Sequence, residues 1–147
     1  MRFFSRFFFK IFEFYIYIID LKLLYNIILL MSKFQQKFSF SKRIAESARM
    51  YNKYPDRICV IVEKSDNSIN IPDIDRSKFL VPKDLTIGDF MYVLRKRIHL
   101  SPDKSIYLFI NNLVMPTISS TFIELYENHK HKDGFLYIYY AGESTFG

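Results

Sequence analysis

Tryptophan is absent from the 147 residues, cysteine occurs once, and only four glycines are present. The lone Cys59 cannot close an internal disulfide, so a disulfide-stapled secreted scaffold is excluded. Four scattered glycines cannot form the glycine-rich loop that cradles phosphates. No run approaches the ~20 uncharged apolar residues of a membrane span. The three histidines, His99, His129 and His131, fit no metal-ligand or catalytic-triad spacing. Asp73, Asp75 and Asp84 fall in loop-like stretches where solvation is the default, and Cys59 lies inside an apolar run, where it reads as a small buried hydrophobe. These absences speak against an enzyme, a metal site and a bound cofactor.

What is present suits one domain with a substantial core, since half the residues are hydrophobic. Twenty-one Lys and Arg against 15 Asp and Glu give a net charge of +6, which favours acidic partners or anionic lipid surfaces. The composition breaks at Met31. Residues 1–30 hold seven of the 16 Phe and three of the 11 Tyr, with no Gly or Pro. Arg2, Arg6 and Lys10 imitate the start of a signal peptide or signal anchor. Glu13, Asp20 and Lys22 interrupt the apolar stretch, however, and no small-residue cleavage site follows. Aromatics occupy too many faces for a clean amphipathic helix. Residues 1–30 are therefore expected to be a hydrophobic, aromatic-rich extension outside a domain spanning 31–147, whose last seven residues, 141–147, form a short polar tail.

From Met31 onward, local signals recur in an ordered series. Phe40–Tyr54 reads as a helix capped by Ser41, with Ile44, Ala45, Ala48, Met50 and Tyr51 near one stripe and Pro55 ending it. Ile58–Val62 is a β-branched run short enough for a buried strand. A polar loop, Ser65–Ile74, precedes a second strand, Lys78–Val81, ended by Pro82. Thr86–Ile98 carries a Thr86 cap, an apolar face of Ile87, Phe90, Val93, Leu94 and Ile98, and cations in the last turn. Strands at Ile106–Ile110 and Phe135–Tyr140 flank a short helix at Phe122–Asn128. This order predicts an α+β domain with a mixed sheet and a helix across it. Arg57, Arg76, Lys78, Arg95 and Arg97 come from separate segments that such packing brings together. No aromatic stacking motif of the RNA-binding kind accompanies them, and no nucleic acid partner is expected. The chain ends in Ala141-Gly142-Glu143-Ser144-Thr145-Phe146-Gly147. A terminal glycine leaves its carboxyl carbon unhindered, and a polar tail can thread into a narrow active site, as protein conjugation requires.

Read in order, Tyr54-Pro55-Asp56-Arg57-Ile58, Val60-Ile61-Val62-Glu63-Lys64 and Lys78-Phe79-Leu80-Val81-Pro82-Lys83-Asp84-Leu85-Thr86 with Phe90 resemble the autophagy ubiquitin-like modifiers. Arg95-Lys96-Arg97-Ile98, Asn111-Asn112, Leu125-Tyr126, Phe135-Leu136-Tyr137-Ile138 and the closing Phe146-Gly147 continue the match. The resemblance covers residues 38–147 and leaves 1–30 without a counterpart. It implies a ubiquitin-like β-grasp with a four-stranded mixed sheet preceded by N-terminal helices, the first near Lys33–Phe38. It further implies that Gly147 is activated by an E1-like enzyme, passed through an E2-like thiol and joined to phosphatidylethanolamine. A delipidating cysteine protease is a further implied partner. The resemblance places the protein in the cytoplasm and, once lipidated, on an autophagosomal, vacuolar or apicoplast membrane, as a scaffold in autophagy or organelle maintenance.

Partner recognition in this family implies that a short aromatic-x-x-aliphatic segment of a cargo receptor or adaptor adds a strand beside Lys78–Val81. Carried over, the aromatic pocket takes Glu46, Met50, Cys59, Lys78, Leu80 and Phe135. The aliphatic pocket takes Phe79, Val81, Pro82, Leu85, Phe90 and Val93, while Arg57, Arg76 and Arg95 face acidic flanks. Strand alternation puts Leu80 on one side and Phe79 and Val81 on the other, whereas Val60, Val62 and Leu94 read as core. Cys59 departs from the family, where proline is frequent. A chain ending at Gly147 is expected to need no proteolytic exposure of the glycine. Two rival readings are a modifier of protein lysines and a constitutive membrane adaptor anchored by residues 1–30.

Overall fold

The computed structural model describes residues 2–66, 68–111 and 113–143. Helix α1 (Arg2–Leu30) is followed by α2 (Lys33–Lys37), α3 (Phe40–Lys53), β1 (Arg57–Lys64), β2 (Lys78–Pro82), α4 (Ile87–Arg97), β3 (Tyr107–Ile110), α5 (Phe122–His129) and β4 (Leu136–Ala141). The strands lie in the order β2-β1-β4-β3. The central pair, β1 and β4, is parallel, with Val60 opposite Leu136. Each outer strand runs antiparallel to its neighbour. This is the expected four-stranded mixed sheet of a ubiquitin-like fold.

Side-chain alternation along β1 divides the interior in two. Ile58, Val60 and Val62 enter a large cluster with Val81, Phe90, Leu94, Phe122, Leu136, Ile138 and Tyr140, covered by α4 and α5. Cys59 and Ile61 face the opposite side, where Met50, Phe135, Tyr137 and Tyr139 form a smaller cluster with Phe34, Tyr51 and Leu80 against it. β1 is therefore buried on both faces from Ile58 to Glu63, which is why its sequence is a continuous apolar run rather than an alternating one.

Two polar devices hold α2 and α3 on the second face. The carboxylate of Glu63 accepts the backbone N–H groups of Lys33 (2.9 Å) and Phe34 (2.8 Å), satisfying orphan donors at the start of α2. Arg43 on α3 donates to Asp133 and, through Nε, to the Phe38 carbonyl at 3.1 Å. Asp133 also accepts from Tyr137 Oη (2.5 Å) and the Phe135 N–H (3.0 Å), so the buried ion pair has its remaining lone pairs filled.

One expectation fails along a whole helix face: α3 buries Arg43, Ser47 and Met50, drawn in by the Arg43–Asp133 pair, while Ile44, Ala45 and Ala48 are exposed. The other differences are local. α3 is capped by Ser39, whose side chain accepts the Lys42 N–H, and not by Ser41. Phe135 precedes β4 instead of starting it. Residues 2–30 form one uninterrupted helix, exposed from Arg6 to Leu30.

Candidate functional site

β2 is an edge strand, so one side of its backbone is not paired within the sheet. Which groups face outward follows from register. The Val62 N–H donates to the Ser77 carbonyl at 2.7 Å, marking that opposed pair as hydrogen-bonded. Hydrogen-bonded pairs recur at every second position of an antiparallel ladder, here Val60–Phe79 and Ile58–Val81. The backbone groups of Phe79 and Val81 thus point inward to β1, and those of Lys78 and Leu80 point to the open edge. An added strand would find two donor–acceptor sets there, flanked by side chains of both faces.

On the face carrying α3, Leu80 packs against the cluster that holds Met50, Cys59 and Phe135. Glu46 reaches over from α3 to Lys78, with Oε1 2.6 Å from Nζ. Arg49 holds the same carboxylate in a bidentate grip at 2.9 and 3.0 Å. Hydrogen bonds from Arg49 and Lys78 draw the Glu46 carboxyl down to about 2, so it stays charged at any physiological pH. Cys59 is 1% exposed on β1, and burial pushes its thiol up, away from thiolate chemistry. Its backbone N–H donates to Tyr51 Oη at 3.2 Å, and that hydroxyl donates to the Gly134 carbonyl at 3.1 Å.

The other face gathers Phe79, Val81, Leu85 and Phe90 beside α4, and half-buried Pro82 ends β2. Phe79 is half-buried and meets Phe90 edge-on, with centroids 6.0 Å apart. Phe90 is only 1% exposed, so it forms the floor beneath Phe79 and not a wall. Val93 lies exposed on α4. The guanidinium of Arg97 sits 5.8 Å from the Phe79 ring centroid and pairs with Asp75 at 3.1 Å. Arg57, at the start of β1 opposite Pro82, is half-buried, and Arg76, two residues before β2, is exposed. Arg95 is placed differently: it donates to the carbonyls of Lys104 (2.7 Å) and Ser101 (3.1 Å), holding the loop after α4. An open basic depression lined by Tyr92, Lys96, His99 and Lys104 shares only Arg95 with the predicted residues.

Of the expected residues, Leu80 and Phe79 lie half-buried on opposite faces of β2, Met50, Cys59, Phe135, Val81 and Phe90 are buried, Val93 is exposed, and Arg95 is set apart. Sequence reading missed Tyr51 and Arg49, which brace the first face, and left Arg97 out of the second. Arg49 was discoverable as the residue three positions after Glu46 on one helix. The other two act through contacts far along the chain.

Gly147 lies outside the described residues, as does Asn112 of the Asn111-Asn112 turn. The base of the tail is fixed: the Gly142 N–H donates to the buried Ser68 hydroxyl at 2.8 Å, and Tyr140 Oη donates to the Pro72 carbonyl at 2.9 Å.

A family model described as "Autophagy protein Atg8 ubiquitin like" matches residues 42–147. "Autophagy-related protein 8d" of Arabidopsis thaliana is 54% identical over 116 residues, covering 79% of this chain and 95% of its own length. "Autophagy-related protein 8" of Schizosaccharomyces pombe is 56% identical over 116 residues, covering 79% and 94%. The crystal structure of Trypanosoma brucei ATG8 superposes with a TM-score of 0.74 at 40% identity, covering 80% of this chain and 99% of that one.

Proposed function

The chain belongs to the Atg8 family of ubiquitin-like autophagy proteins, and on that premise we propose that it is a modifier joined through Gly147 to phosphatidylethanolamine. It is itself no enzyme; E1-like and E2-like enzymes carry out the conjugation. Once lipidated it scaffolds the autophagosomal membrane and recruits partners bearing aromatic-x-x-aliphatic segments. Residues 31–147 form the modifier domain, with 141–147 as its conjugation tail. The relatives and the matched structure come from a plant, a fungus and a trypanosome, so the apicoplast rests on the resemblance alone.

The observation that carries the reading is the edge of β2. Lys78 and Leu80 offer backbone pairing, and the strand's alternation sets half-buried Leu80 over one apolar cluster and half-buried Phe79 over the other. The aromatic side chain of the peptide enters between Leu80, Met50, Phe135 and the Glu46–Lys78 pair. The aliphatic one enters over Phe79, Pro82 and Leu85. Two acyl chains then give the stable attachment that a single chain does not.

A protein ending at Gly147, mixed with E1-like and E2-like enzymes, ATP and phosphatidylethanolamine vesicles, should gain the mass of one lipid, removable by phospholipase D. Discrete higher-mass protein adducts resistant to that enzyme would favour lysine modification. Conjugation that persists after deletion of Gly147 would overturn the attachment proposed. Leu80→Ala and Phe79→Ala should each weaken an aromatic-x-x-aliphatic peptide by about 1–3 kcal/mol in calorimetric titration. Unchanged affinity in a folded Leu80→Ala protein would show that the binding edge lies elsewhere.

A further inference from the structure

Helix α1 is 29 residues, about 44 Å long, and its large apolar side chains remain in solvent. Phe7, Phe12, Phe14 and Tyr15 are each more than 60% exposed, and Leu23 is 57% exposed. An apolar surface of this extent marks an interaction site. Aromatics do occupy most faces of α1, yet from Arg6 to Asp20 the charges keep to one side, a stripe that Leu24 and Ile28 continue as apolar residues. Arg6, Lys10, Glu13, Tyr17 and Asp20 follow one another at steps of four, three, four and three, so they share one stripe about 80° wide. Of the remaining charges, Lys22 lies on the opposite side, where its long stem can carry the ammonium outward.

A second copy of the chain would cover only a narrow apolar stripe, as in a coiled-coil seam. The apolar arc of α1 is several times wider than that. Crossing a bilayer is also disfavoured: no helix among the described residues is long and apolar enough to do so. A surface that accepts a broad aromatic arc while leaving one charged stripe in water is the headgroup region of a membrane. Arg6 and Lys10 stand in the first turns, Arg2 precedes them at the same four-residue spacing, and the whole chain is +6. These charges select an anionic surface.

We infer that α1 is an interfacial helix that lies in the headgroup plane of an anionic phospholipid bilayer and attaches the protein without the Gly147 conjugate. The aromatic arc faces the acyl chains, and the stripe through Lys10, Glu13 and Tyr17 faces water. The inference goes beyond the conjugation proposed above and does not depend on it.

The test uses the full chain with Gly147 deleted, without conjugation enzymes. It should float with phosphatidylserine-containing vesicles at least about tenfold more than with pure phosphatidylcholine. Because the protein has no tryptophan, Phe12→Trp and Tyr17→Trp each supply a single reporter, about 140° apart around the helix. With vesicles, the first should shift to the blue and be quenched by brominated lipid, and the second far less. Replacing Phe12 and Leu23 together by Glu should abolish flotation while peptide binding at β2 persists. Flotation equal in a chain beginning at Met31 would overturn the inference, as would equal deep quenching at both positions, the sign of a span. Self-association without vesicle binding would overturn it in favour of a second copy. Loss of conjugation alone would bear on Gly147 and leave α1 untouched.

Discussion

Glu46 shows how one side chain joins two elements and sets the chemistry of the candidate groove. Its carboxylate ties α3 to β2 through Lys78 and is steadied by Arg49. The folded protein favours the charged form, with the carboxyl drawn down to about 2 from the ordinary 4.5. The stability this confers is therefore complete above about 4.5 and disappears as pH falls through about 2. Because the group is partly exposed, its worth is of the order of 1 kcal/mol. A carboxyl-detected NMR titration should find the Glu46 midpoint near the lower value, and Lys78→Met should raise it. An unshifted midpoint in Lys78→Met would mean that Arg49 alone holds the carboxylate. Gly134 is a second residue with a strict role. Its φ of +90° suits glycine, and a Cβ would stand 2.5 Å from Ser47 Oγ. Gly134→Ala should cost about 1–3 kcal/mol in urea unfolding. The Asp133-Gly134 turn was legible in the sequence. Its close approach to Ser47 on α3, 86 residues before Asp133, was not, because no local pattern encodes it.

At the scale of elements, local chemistry specified most of the sheet and little of what fastens the helices to it. Thr86 caps α4 as its spacing predicts, accepting the Asp89 N–H. The β-branched run at β1 and the Lys78–Pro82 strand likewise fold where their patterns point. The cap of α3 fell two residues from the expected one because Ser39 and Ser41 both offer a hydroxyl, and only tertiary docking selects between them. Arg43 carried no signal at all, since a charged residue on a helix ordinarily reads as solvent-facing. In the structure it is 5% exposed and bonded to Asp133, which is likewise buried. Removing the cation leaves a buried carboxylate without its partner. Arg43→Ala should therefore destabilise the domain by about 3–5 kcal/mol, measured by chemical denaturation. Glu63→Ala should act more locally. It strips the acceptor from the Lys33 and Phe34 amides and costs about 1–2 kcal/mol. Hydrogen exchange should rise first at those two amides and not along β1; equal acceleration in both would mean that α2 and the sheet open as one unit.

For the molecule as a whole, the boundary at Met31 separates two kinds of surface. Among the described residues, neither apolar cluster of the domain includes any from Arg6 to Leu30. The junction is polar: the Gln36 side chain donates to the carbonyls of Ile28 (3.2 Å) and Met31 (3.0 Å). Ser32 caps α2 with a reciprocal bond from Gln35, so the domain begins with its own stop signal for α1. Hydrophobic burial supplies the dominant favourable term in folding, and α1 contributes none of it to these clusters. A chain beginning at Met31 should consequently melt within about 4 °C of the full chain, the shift that roughly 1 kcal/mol produces in a domain of this size. Its affinity for an aromatic-x-x-aliphatic peptide should be unchanged, because the β2 edge and both flanking faces lie wholly within the domain. Solubility should move the other way and improve, since an exposed aromatic helix invites self-association. A melting temperature lower by ten degrees or more, about 2 kcal/mol or greater on the same scale, would show that α1 folds back onto the domain in solution. The apolar arc assigned to a membrane would then be an intramolecular face.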